Sequence, residues 1–269
     1  MPGDEDIAIA EKRMYGDRRE ETIAYLACAM GVARVALSDD QIGRFGLEHR
    51  CLAHDIAGAA GQLAVATDED VLLGSEGSFR PADFGPAVAV GLDGTVVAAG
   101  PDGRVARLTG DEWRTVGHVD NVRAIDGDLL ATADGVVRVD DGELVALAGG
   151  TAVDVAAGGP YAATAAGVAY FAGNWTVEAD GDASLISAER DGDRAHAVVD
   201  GDLLERTDTE WRPADPPEAG IVDVTYDAAT VAVTGDGTVL IDPVTAKDGA
   251  PVWRSRSLGL AGVAGVAVP

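Results

Sequence analysis

Residues 128–147, DLLATADGVVRVDDGELVAL, break into three short runs rich in apolar side chains, separated by Asp134-Gly135 and Asp141-Gly142. Alternation with a period of two predicts half-buried strands, and Asp-Gly predicts tight hairpins because such turns need positive φ. Three strands joined this way form a meander with an apolar face left uncovered. A lone meander is marginal in water, so its cover has to come from elsewhere in the chain.

The strand LLATADG that begins this stretch has six counterparts. They are AYLACAMG from Ala24, LAVATDED from Leu63, TVVAAGPDG from Thr95, PYAATAAG from Pro160, RAHAVVDG from Arg194 and TVAVTGDG from Thr230. A second apolar strand follows each (VARVAL, RVARL and VVRV among them), then a third that often carries an aromatic residue followed by arginine. A fourth precedes the next unit: HDIAG, AVAVG, NVRAID, AVDVA, SLISA, IVDVTY and VAGVAV. Seven units of four strands, spaced by 31 to 39 residues, account for nearly the whole chain.

Four antiparallel strands per unit at this period predict an all-β fold, a seven-bladed β-propeller. A single domain over residues 24–269 is expected, with the fourth run of each unit innermost. The unit at Ala24 lacks an innermost strand, and the final VAGVAVP has no strands after it. The C-terminal strand should therefore pair into the N-terminal blade and close the ring. Residues 1–23 form an N-terminal extension, within which residues 6–17 can add an edge strand. Two β-sandwich domains are the competing architecture, but no linker or change of composition divides the chain, and seven similar units do not split evenly.

Composition refines this picture. With 47% hydrophobic but only 5% aromatic residues, the core must be built from Ala, Val, Leu and Ile, and 35 glycines with 11 prolines suit many tight turns. Almost no helix is expected. The net charge is −26, and Lys12 and Lys247 are the only lysines, a balance that matches a surface adapted to molar salt. An acidic surface argues against nucleic acid and membrane partners, although at about 1 M salt the screening length falls to roughly 3 Å and the argument weakens. The acidic amino terminus is followed by no apolar run of signal or membrane length, so a cytoplasmic location is expected. In a reducing compartment Cys28 and Cys51 read as thiols rather than a disulfide.

The segments IAEKRMYGD, IGRFGLEHRC and FGPAVAVG, with the acidic composition and the overall length, resemble an uncharacterised family of haloarchaeal β-propeller proteins. The resemblance covers essentially the full chain. It implies the propeller fold and carries no reaction, cofactor or catalytic residue with it.

Candidate chemistry is sparse. Aligned on the apolar residue that follows, Asp55, Asn121, Asp154 and Asp223 share a place on four innermost strands, with Ser184 a weaker match. Pointed inward they would form a partial ring of acceptors for a cation or a polar ligand with several hydroxyls; as seam-building residues they would bond to neighbouring blades. His49, Cys51 and His54 are the densest group of transition-metal ligands, but their spacing matches no zinc module, and packing is the preferred reading. The pairs Phe79-Arg80, Trp113-Arg114, Trp211-Arg212 and Trp253-Arg254 read as rings packed beside each blade with arginines paired to local carboxylates. There is no Walker motif, His-Glu-x-x-His, nucleophile elbow or EF-hand loop. The functional expectation is a non-enzymatic, monomeric scaffold for a protein partner, without cofactor. The alternative is a metal-dependent hydrolase or lactonase, or a small-ligand binder, at the channel mouth.

Overall fold

The computed structural model describes residues 21–38, 41–75, 77–147, 149–243 and 252–269, and within them every regular element is a β-strand. The expected edge strand over residues 6–17 lies outside the described residues. Twenty-eight strands form seven four-stranded antiparallel sheets. In six blades the strands pair in chain order. Blade 1 has the order Gly265–Ala267, Thr22–Cys28, Gly31–Ser38, Gln41–His49, so the last strand of the chain lies innermost beside the first. Tyr25 stands opposite Ala267, Leu26 opposite Val266 and Ala27 opposite Gly265, and this short ladder closes the ring.

The innermost strands of blades 2 to 7 are Ala53–Ala59, Ala89–Leu92, Val122–Asp126, Ala152–Ala156, Ala183–Ala188 and Ile221–Tyr226. Together with Gly265–Ala267 they touch one another in a closed circuit around the axis. Because all seven run the same way, the turns from innermost to second strand open on one face, here the first face. Turns from second to third strand, and the connections between blades, open on the second face.

The burial pattern departs from simple alternation. In blade 4, Leu129–Thr132 is buried throughout, Gly135–Asp140 loses burial along its length, and only Leu144 is half-buried in the outer strand Glu143–Ala146. Neighbouring blades cover both faces of each sheet near the axis, so second strands such as Leu63–Thr67 and Ala195–Val199 read as continuous apolar runs. Polarity thus rises with distance from the axis. The buried residues fall into seven hydrophobic clusters, one at each seam. At the seam of blades 3 and 4, Val97, Ala99 and Val105 meet Ile125 and Leu130. At the closing seam Val231, Val239 and Leu260 of blade 7 meet Leu26, Val35 and Val266 of blade 1. No helix among the described residues is long and apolar enough to cross a membrane.

Tight turns demand glycine at one repeated place, the start of the third strand. Gly31 and Gly167 both have φ of 131°, and a Cβ on either would lie 1.9 Å from the carbonyl oxygen of His49 or Ala179 on the outer strand. Gly167→Ala is therefore expected to cost more than about 2 kcal/mol. Gly46→Ala, where a Cβ meets nothing within 4 Å, should stay within about 0.5 kcal/mol of wild type. Equal denaturant midpoints for the two variants would refute this account of the third-strand turn.

Candidate functional site: the channel and its seams

Separate sheets have no ladder hydrogen bonds between them, so polar side chains must supply any directional link across a seam. Asp55, Asp154 and Asp223 do so in the same way. Asp55 Oδ1 accepts the amide of Ile56 at 2.8 Å, and Oδ2 accepts that of Val90 on blade 3 at 2.9 Å. Asp154 takes the amides of Val155 at 2.9 Å and of Ile186 on blade 6 at 2.8 Å. Asp223 takes those of Val224 and of Val266 on blade 1, both at 2.7 Å. Each carboxylate thus joins its own strand to the next blade, and Asp223 holds the closing strand.

A β-bulge makes this geometry available. Ala53, Val122, Ala152, Ala183 and Ile221 each pair with the second strand just before a register shift, and the residue two places later is Asp55, Ala124, Asp154, Leu185 or Asp223. The extra residue turns the side chain sideways into the seam. Asn121 does not occupy this position. It is exposed, has φ of 55° and sits in the turn that enters blade 4, so the structural counterpart of the aspartates there is Ala124. Ser184 is likewise displaced by one residue, and Leu185 takes the equivalent place. Alignment on the next apolar residue missed both because the bulge breaks the count.

Seams without such an aspartate use other means. Asp126 Oδ2 accepts the amide of Ala157 at 2.7 Å between blades 4 and 5. Between blades 6 and 7, Ser187 Oγ donates to the Val224 carbonyl at 2.7 Å, and Tyr226 Oη donates back to the Ser187 carbonyl at 3.0 Å. With its proton so engaged, Tyr226 Oη accepts from Nδ1 of the buried His196 at 3.1 Å, and burial holds that imidazole neutral, its pKa lowered to about 4. Close glycine approach serves the remaining seams: a Cβ on Gly91 would lie 2.8 Å from the Gly127 oxygen, and one on Gly58 would lie 2.9 Å from that of Val268.

The channel enclosed by these strands has a volume of about 1020 Å³. Burial raises the pKa of Asp55 to about 6 and of Asp154 to about 7, against two amide bonds that favour each anion, and nearby carboxylates, including Asp126, add to the rise. Asp223 is raised well above the ordinary carboxylate range by burial and by Asp154 and Asp55. At the first-face mouth, Arg190 of blade 6 reaches across to Asp93 of blade 3 at 3.0 Å and Asp126 of blade 4 at 2.9 Å. Nothing in the ERDGDR run that contains Arg190 marks this role in the sequence.

A second set of latches runs along the perimeter in the opposite sense. The indole N–H groups of Trp113, Trp175 and Trp253 donate back to the carbonyls of Ala82, Leu147 and Ala214, at 2.7, 3.1 and 2.9 Å. Each acceptor follows the outer strand of the preceding blade. Trp211 instead reaches Glu178 at 3.3 Å, and Phe79 packs edge-on against Tyr25. Arg80 and Arg212 pair on the surface with Asp111 and Glu210.

His49, Cys51 and His54 separate. The His49 ring tilts against Phe79, Cys51 is a half-buried free thiol whose pKa burial raises to about 11, and His54 is exposed in the channel. Among the described residues no group of three His, Cys, Asp or Glu side chains is placed to hold a metal ion.

A family model described as HVO_0234-like, beta propeller, matches residues 8–269. No curated protein matches the chain. Among solved structures, the computationally designed Ika8 protein superposes with a TM-score of 0.57 at 16% identity, over 91% of this chain and 90% of that one. The extracellular domain of the putative one component system BT4673 from B. thetaiotaomicron gives 0.51 at 10% identity, over 88% of this chain. This chain covers only 46% of that longer protein. At these identities the likeness is one of fold.

Two outcomes follow from the latches. Asp223→Ala leaves two amides without an acceptor and should cost about 2 kcal/mol, with hydrogen exchange at Val266 accelerating more than elsewhere. Unchanged protection there would remove Asp223 from ring closure. The second outcome concerns pH. A carboxyl whose folded pKa is raised contributes most below its unfolded pKa of about 3.9 and loses that contribution as pH rises through the folded value. For Asp154 that window ends near 7. The stability of wild type relative to the non-titrating Asp154→Asn should therefore fall between about pH 4 and pH 7 in urea melts; a difference that grows with pH would contradict the raised pKa.

Proposed function

The chain belongs to the HVO_0234-like β-propeller family, and from that footing we propose that it is a non-catalytic scaffold whose face loops receive a protein partner. One observation carries this reading: the three aspartates Asp55, Asp154 and Asp223 beside the axis are committed to joining blades. Every oxygen of Asp55, Asp154 and Asp223 already accepts a backbone amide, which supports a stiff frame with its free surface on the faces. Exposed Met30, Leu52 and Val222 on the second face favour a protein surface as the occupant. We take the chain to be a monomer in a salt-rich cytosol, where small buried side chains and surface carboxylates both suit low water activity. Propellers often serve this way, an analogy of fold rather than of site.

A small-ligand binder is the second reading, favoured by the channel volume of about 1020 Å³. The metal-dependent hydrolase or lactonase is less well supported, because it needs several ligands on one centre and the three aspartates each turn into a different seam.

Native mass spectrometry of the protein purified at high salt without chelator tests the proposal. The expected result is the 27.4 kDa chain in a defined ratio with a second polypeptide. A lone chain carrying a stoichiometric metal or small molecule, lost in Asp154→Ala, would overturn it in favour of the channel.

A further inference from the structure

Acidic side chains punctuate the second face. The turns from second to third strand carry Asp68, Asp102, Asp134, Asp200 and Asp236 in blades 2, 3, 4, 6 and 7. Blade 5 departs from this with Ala165-Ala166, and so does blade 1. Its turn is Ala29-Met30, and the connection that reaches it from blade 7, residues 258–264, reads LGLAGVA without a charge. The two segments are joined by backbone bonds from the Ala29 amide to the carbonyls of Ala261 at 3.3 Å and Gly262 at 3.2 Å. Val263 bonds to the Gly235 carbonyl, and a Cβ on Gly235 would lie 3.5 Å from Val222. Exposed Met30 (47%) and Val222 (37%) therefore lie along an apolar patch that runs to the channel, and exposed Leu52 (41%), whose carbonyl accepts the Asp68 amide at 3.3 Å, lies on the same face.

Val222 also belongs to the channel mouth on this face, with His54, Arg123, Val153, Ser184 and Ala264. That rim holds no carboxylate. Arg123 is exposed there, and among the described residues its hydrogen bond is to a carbonyl, that of Ala152 at 3.3 Å. The other arginine that lines the channel differs, since Arg190 engages two carboxylates. Of the two arginines that line the channel, Arg123 is the one without a carboxylate partner among the described residues.

We propose that this patch and rim dock a segment of a partner protein that combines apolar side chains with a carboxylate, the apolar part lying over Met30, Leu52 and Val222 and the carboxylate on Arg123. The proposal rests on the scaffold reading and names the site and partner chemistry for it. Guanidinium and carboxylate match in planar geometry. A deeper position would bring the incoming carboxylate against Asp55, Asp154 and Asp223, so the mouth is where it rests. A second copy of this chain is a poor occupant, because an isologous contact would set one ring of aspartates against another. A nucleic acid would need several such cations and would meet the same aspartates.

The test is selection of a displayed random-peptide library on the full chain at high salt, followed by affinity measurements on single peptides. Enriched peptides should carry apolar residues with Asp or Glu. Arg123→Ala and Met30→Asp should each weaken them at least about tenfold, and Arg123→Lys should weaken them less. Both sites are exposed, and unchanged thermal melts would show that the variants fold. Peptides that bind but ignore both Arg123→Ala and Met30→Asp would overturn this surface while leaving the scaffold reading intact. A library that enriches nothing would count against both. A concentration-dependent dimer in sedimentation velocity, abolished by Met30→Asp, would assign the patch to a second copy and overturn the proposal.

Discussion

Everything in this fold depends on joining sheets that share no ladder hydrogen bonds. Seven blades converge on an axis, and each seam must be held by packing and by whatever polar side chains reach across. Packing supplies the bulk, through clusters of Ala, Val, Leu and Ile at every seam. Direction comes from the latches. A carboxylate that accepts one amide from its own strand and one from the next blade sets both the spacing and the slide of the two sheets. The cost is a buried anion, visible in the raised pKa values of Asp55, Asp154 and Asp223, and the two charge-assisted bonds offset part of it.

The two latch systems run in opposite directions around the ring. Near the axis, a carboxylate on one blade accepts from the blade that follows. At the perimeter, an indole donates to the blade before. A blade held at both radii cannot pivot about its inner strand as it could with one latch alone. The closing seam carries the same inner latch as two others, so a strand of only three residues, Gly265–Ala267, is tied across its seam by the same kind of bond as longer ones. Stiffness of this kind leaves the face loops as the variable part of the molecule, and it explains why polar residues near the axis serve architecture first.

Much of the architecture was legible in the chain. Seven similar units, an unmatched innermost strand at the end and turn signals between short runs all report local geometry, because strand period and turn φ act within a few residues. The candidate site was legible only in part. Asp55, Asp154 and Asp223 stood out by type and place, but Asn121 entered the same group by an alignment that ignores a bulge, and a bulge is defined only by what stands opposite. Arg190 and the Ser187, Tyr226 and His196 chain had no sequence signal, since their partners lie 30 or more residues away in other blades.

The sequence by itself determined the number of blades, the composition of the core and the closure of the ring, because these follow from periodicity and from which residues exclude water. Only the tertiary structure decided which faces of each strand are covered, which aspartates bridge seams and where an arginine is left facing an open mouth. Those properties arise from neighbours brought together by the ring, and no local pattern encodes them.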